Sequence, residues 1–113
     1  MWHRINTSDD LGAYQSYGFE IIQDGKVIEG FLVKNSQGQW VAYKNSCPHQ
    51  YLPLNWNSHQ FLDKNSEFIV CAMHLALFDP NSGICLSGPC VGKFLTSLPI
   101  KIVDNVLWAW IDS

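Results

Sequence analysis

Apolar positions follow a strand-like pattern at both ends of the chain and lose it in the middle. Phe19-Glu20-Ile21-Ile22 and Lys26-Val27-Ile28-Glu29-Gly30-Phe31-Leu32-Val33 flank Asp24-Gly25. Two runs rich in β-branched and aromatic residues, separated by a dipeptide that tolerates positive φ, predict a hairpin. Asn35-Ser36-Gln37-Gly38 predicts a turn into a further strand, Gln39-Trp40-Val41-Ala42-Tyr43. Near the other end, Leu98-Pro99-Ile100-Lys101-Ile102-Val103 and Val106-Leu107-Trp108-Ala109-Trp110-Ile111 flank Asp104-Asn105 and predict a second hairpin. Trp40, Trp108 and Trp110 fall in these runs and read as sheet-packing residues. The segment from Thr7 to Tyr17 is the place where a helix can begin, with Thr7 or Ser8 as cap before Asp9 and Asp10, and Gly12 and Gly18 keep it short. The pattern predicts an all-β protein.

The middle stretch, Ser46 to Val91, has short strand signals, and in it Cys, His, Pro and Gly concentrate. At 113 residues and 47% hydrophobic, the chain is long enough for one domain with its own core and too short for two. Seven Lys plus Arg against ten Asp plus Glu give a net charge of -3. That balance offers no basic footprint for nucleic acid and no polybasic patch for a membrane surface. Met1-Trp2-His3-Arg4-Ile5-Asn6-Thr7 contains no secretory apolar stretch, and the apolar run from Val106 to Ile111 is too short to span a bilayer, so a cytoplasmic protein is expected. In that compartment the four cysteines point to metal ligation before disulfides.

Two short pairs carry the candidate chemistry. Cys47-Pro48-His49 is C-x-H and Cys71-Ala72-Met73-His74 is C-x-x-H, with 21 residues between them. Each puts one thiolate and one imidazole on a single loop. Thiolate and imidazole suit zinc as well as iron in a sulfide cluster, so ligand type leaves two metals in play. Zinc fingers usually pair Cys with Cys and His with His, whereas these pairs mix the types, which favours iron and sulfur. A structural zinc module that binds another protein stays as the alternative.

The two pairs, followed by Gly88-Pro89, resemble the Rieske ferredoxin family over residues 46 to 92. The resemblance implies a Rieske fold, with a cluster-binding subdomain of about residues 46–92 inserted in an antiparallel β base formed by 1–45 and 93–113. It implies one [2Fe-2S] cluster with Cys47 and Cys71 on one iron and His49 and His74 on the other, bound through Nδ1 at an exposed tip. Gly88 and Pro89 would shield the cluster from one side. The partners implied are redox proteins, a reductase and a terminal oxygenase, with no substrate chemistry in this chain. Two thiolates and two neutral imidazoles leave the oxidised cluster formally uncharged. Reduction is therefore easier than for an all-cysteine cluster, and family potentials span roughly -150 to +300 mV. Loss of the second ring proton from the histidines favours the oxidised form, so the potential is expected to fall at alkaline pH.

Departures from the family pattern refine these expectations. Tyr51 and Leu75 stand where the family has glycines that serve tight loop geometry. The stretch between the ligand pairs is longer than usual, and Asn55 to Phe68, with His59, is expected to form an enlarged surface loop. Trp56 and Phe61 within it read as cover for the cluster. The paired loop cysteines of respiratory-type members are missing, and Leu75-Ala76 after His74 supplies no serine hydroxyl, which places the expected potential low in the range. Cys85 and Cys90 bracket the proline segment, either as buried reduced thiols or as a disulfide, with reduced thiols favoured. His3 and His59 read as solvated surface residues.

Overall fold

A computed structural model describes residues 1–5, 15–35, 37–48, 54, 59–63, 67–72, 75–104 and 106–111. Among the described residues, ten strands form three antiparallel sheets and there is no helix. The first sheet has the order β1 (Trp2–Ile5), β10 (Val106–Trp110), β9 (Ile100–Val103). The second runs β2 (Ser16–Gln23), β3 (Lys26–Lys34), β4 (Trp40–Lys44), β8 (Ser97–Leu98), and the third β5 (Ile69–Val70), β6 (Leu77–Phe78), β7 (Cys85–Ser87). The helix expected to begin near Thr7 falls on residues outside the described ones up to Tyr14, and β2 already starts at Ser16.

Turn chemistry sets the registers. Asp24 and Gly25 both take positive φ, 51° and 77°, and close β2 on β3 with Gln23 opposite Lys26. Such a two-residue turn twists in the same sense as the strands it joins. Asp104, at φ 52°, plays the same part between Val103 and Val106. The Asn35 side chain accepts hydrogen bonds from the Gln37 and Gln39 amides at 3.0 and 2.9 Å, turning the chain into β4. The run from Leu98 to Val103, expected as one strand, divides between two sheets. Leu98 pairs with Ala42 of β4, while Ile100 pairs with Ala109 of β10. Pro99 stands at the division, where it has no amide to give to either ladder and its carbonyl accepts from Trp110 at 2.8 Å.

β3 separates two hydrophobic cores. Phe31, Leu32 and Val33 are fully buried, and alternation sends them to opposite sides. Leu32 and Ala42 face Ile5, Leu107 and Ala109 of the first sheet, together with Phe19 and Ile21. Phe31, Val33 and Tyr43 face Phe61, Ile69, Phe78 and all four cysteines. Phe61 stacks on Phe31 with ring centroids 4.4 Å apart and planes at 4°. Trp56 lies outside the described residues.

Within the surface loop expected over Asn55 to Phe68, the described residues 59–63 are tied inward instead. Leu62 bridges Ile69, and the Asp63 amide donates to the Phe68 carbonyl at 2.9 Å. The Ser16 hydroxyl donates to the His59 carbonyl at 2.6 Å and accepts from the Phe61 amide at 3.2 Å. His59 is half-buried: its Nδ1 accepts from the Gly18 amide at 3.0 Å and its ring stacks on Tyr17 at 4.1 Å. Satisfying buried backbone groups holds this segment against β2. His3 is also half-buried on β1, opposite Ala109, so neither histidine is the solvated residue expected.

The Tyr43 hydroxyl, inside the second core, donates to the Pro80 carbonyl at 2.8 Å and pins the β6–β7 turn to the central sheet. Burial raises its pKa, with the nearby Asp79 carboxylate adding to the shift. The folded state therefore holds this proton more tightly than the unfolded chain, whose tyrosines titrate near 10. The stabilisation is complete below that pH and is lost as pH rises through and above it. Tyr43→Phe should cost about 1 kcal/mol at neutral pH, and the difference between variant and parent should shrink above about pH 10. Urea unfolding of both proteins at pH 7 and at alkaline pH measures this.

Candidate metal centre

The first candidate loop leaves β4 at Lys44. The Asn45 amide donates to the Glu29 carbonyl at 2.9 Å, which holds the strand exit against β3. Cys47 follows, fully buried. The Asn45 side-chain oxygen reaches forward to accept from the Leu54 amide at 2.8 Å, so one residue at the start of the loop fastens its far end. Leu54 is fully buried in the same core as Cys47.

The second loop leaves β5 at Val70 and returns into β6. Cys71, also fully buried, donates its amide to the Ala76 carbonyl at 2.9 Å, and its carbonyl accepts from the Leu75 amide at 2.7 Å. The chain therefore reverses between Cys71 and Ala76. Leu75 takes φ 56° with its side chain 72% exposed, the left-handed conformation that favours glycine. The loop keeps the path a glycine would serve, and Leu75 adopts it at a cost. The two loops are joined directly: the Ala72 amide donates to the Leu54 carbonyl at 2.8 Å.

A third segment closes over the second loop. Gly88 has φ 106°, and a Cβ built there would lie 2.9 Å from the Ala76 Cα. That is backbone against backbone, so any side chain at 88 would push the segment away. Pro89 beside it is exposed. Cys85 and Cys90, at the two ends of this segment, are buried free thiols, as favoured from the sequence. The Cys90 thiol donates to the Cys85 sulfur at 3.0 Å, and Cys85 to the Ser87 carbonyl at 3.3 Å. Burial, the bond to Cys85 and the neighbouring Cys47 thiol together push Cys90 up to about 12.

Of the six residues singled out from the sequence, Cys47, Cys71, Gly88 and Pro89 thus stand on loops that touch one another, with both thiols in one core. His49 and His74 lie outside the described residues, as does Tyr51, and no complete group of three metal-binding side chains occurs among those described. Two soft sulfur donors at the ends of hydrogen-bonded loops fit a thiophilic metal or an iron–sulfur cluster. The roles of Asn45, Leu54 and Ala76 were missed in the sequence, since they act through backbone contacts. That Cys90 shares a core with Cys47 was missed as well, since it depends on how separate loops pack.

Comparison with known proteins gives one family. The model of the Rieske [2Fe-2S] domain matches residues 1–103. No curated protein sequence matches. Among solved structures, the ferredoxin of carbazole 1,9a-dioxygenase from Nocardioides aromaticivorans IC177 is similar at TM-score 0.68 and 20% identity, covering 96% of each chain. The plasma membrane Rieske protein PetC3 from Synechocystis PCC 6803 is similar at 0.66 and 23%, covering 96% of this chain and 99% of that one. A putative NADH-dependent nitrite reductase small subunit from Mycobacterium tuberculosis is similar at 0.64 and 14%, covering 100% and 97%. At these identities the likeness is one of fold.

Two substitutions test the loop geometry. Leu75→Gly relieves a left-handed leucine and should raise stability by about 0.5–1 kcal/mol, the gain being reduced by the freer unfolded chain. Gly88→Ala combines a forbidden φ with overlap on Ala76 and should cost about 2–4 kcal/mol. Denaturant midpoints of the two variants against the parent protein measure both.

Proposed function

This chain belongs to the Rieske [2Fe-2S] domain family, and from that premise we propose that it is a soluble ferredoxin passing single electrons between a reductase and an oxygenase or similar partner. That it is a Rieske-type electron carrier follows from the family; the ligands and the partner are our reading. The observation that carries this reading is the pair of buried thiols, Cys47 and Cys71, on two loops tied by the Ala72–Leu54 hydrogen bond.

In this reading Cys47 and Cys71 hold one iron and His49 and His74 the other. The bound [2Fe-2S] group supplies a one-electron redox step at low cost in charge. The chain supplies the rest. Full burial of the two cysteines keeps water from the sulfur side, and the segment at Gly88-Pro89 packs on Ala76 to cover the second loop. Hydrogen bonds at Asn45, Leu54, Cys71 and Ala72 hold the described parts of the loops and limit rearrangement there when the charge changes. Exposed Leu75 and Pro89, on loops in contact through Ala76 and Gly88, offer a small apolar face suited to a transient redox contact. Support for an oxygenase partner comes from the similarity to a ferredoxin of a dioxygenase. The absence of a hydroxyl at Leu75 and Ala76 supports a potential low in the family range. The residues 46–92 that bear the loops form the proposed cluster-binding subdomain, with 1–45 and 93–113 as its β base.

The purified protein should be reddish-brown, contain two irons and two acid-labile sulfides per chain, and give a reduced-state EPR signal of mixed Cys/His ligation. Cys47→Ser and Cys71→Ser should each abolish the colour, while Cys85→Ala should retain it. A colourless protein holding one zinc would overturn the electron-transfer reading in favour of a structural module.

A further inference from the structure

Cys85 and Cys90 remain outside the proposed ligand set, yet they are placed as precisely as the residues within it. Cys85 sits on β7 and Cys90 on the turn beyond Pro89, both at 2% exposure or less. Two backbone bonds hold Cys85 to the return strand: its amide donates to the Lys93 carbonyl at 2.8 Å, and its carbonyl accepts from the Gly92 amide at 3.3 Å. The Lys93 amide in turn donates to the Cys90 carbonyl at 2.9 Å. These bonds fix both ends of the six-residue segment, and the two sulfurs meet at 3.0 Å.

We propose that Cys85 and Cys90 form a reversible dithiol–disulfide site behind the Gly88-Pro89 segment, oxidised by low-molecular-weight disulfides such as glutathione disulfide. A closing movement of about 1 Å brings the sulfurs to bonding distance. The step is a two-stage exchange. One protein thiolate attacks the small disulfide, forming a mixed disulfide and releasing one small thiol, and the second protein thiolate then displaces the other. One sulfur–sulfur bond breaks and one forms, and the two protein protons leave on two small thiols. Both sulfurs are buried, but Leu86, Ser87, Gly88, Pro89, Val91 and Gly92 around them are exposed, so a local opening of the turn admits the reagent. A loop this short gains less from cross-linking than a long one, which leaves the pair responsive to the ambient thiol balance.

Holoprotein is equilibrated in glutathione buffers from fully reduced to fully oxidised, quenched in acid, alkylated, and mapped by peptide mass with fragmentation. The expected result is joint loss of alkylation at Cys85 and Cys90, restored by dithiothreitol, with a peptide 2 Da lighter than the dithiol. Cys85→Ser and Cys90→Ser should each leave the remaining thiol alkylated or singly glutathionylated, never cross-linked. Both thiols alkylated in full at the oxidised end, or each carrying its own glutathione, would overturn the site. Colour and iron content of the same samples report separately on the cluster reading, since the peptide map reads the cysteine pair whether or not iron is bound.

Discussion

Burial of β3 on both faces is the constraint from which the rest of the arrangement follows. Phe31, Leu32 and Val33 have no exposed surface, and each such side chain contributes roughly 1.5–3 kcal/mol on leaving water. Because neighbours along a strand point oppositely, Leu32 belongs to the core shared with the first sheet, while Phe31 and Val33 belong to the core that holds the cysteines. A slip of one residue against β4 would exchange the two sets, so the register is strongly specified. Tyr43 pairs with Phe31 and Cys47 follows three residues after the end of β4, so the first sulfur inherits its place from this register.

From that anchor the candidate centre is assembled by backbone contacts rather than by a dense side-chain network. Asn45 spans the first loop, Ala72 joins the second to it, and Gly88 lets the third segment rest on Ala76. Leu75 shows the tension in this design, since the turn between Cys71 and Ala76 demands a left-handed residue and the chain supplies an exposed leucine. Strain of this kind persists where surrounding bonds over-determine the path, here the two hydrogen bonds of Cys71.

The proposed redox pair behind the third segment shares its core with the candidate ligands Cys47 and Cys71. Its sulfurs are brought together by the ladder between Cys85 and Lys93, which belongs to the fold and not to the metal site.

The sequence by itself determined the all-β class, the hairpins at Asp24-Gly25 and Asp104-Asn105, and, through two Cys/His pairs, the family. The reason is that strand alternation, positive-φ turn residues and thiolate–imidazole spacing are all local patterns. Tertiary structure alone decided that the run from Leu98 to Val103 splits at Pro99 between two sheets, because which ladder each half joins depends on strands far away in sequence. It decided that the stretch around His59 and Phe61 folds inward, since the aromatic face of Phe31 and the amide of Gly18 are the partners that draw it in. It also decided that Cys90 lies beside Cys47, 43 positions earlier. Spacing reports which residues share a loop, whereas only the packing of loops on a common core reports which of them meet.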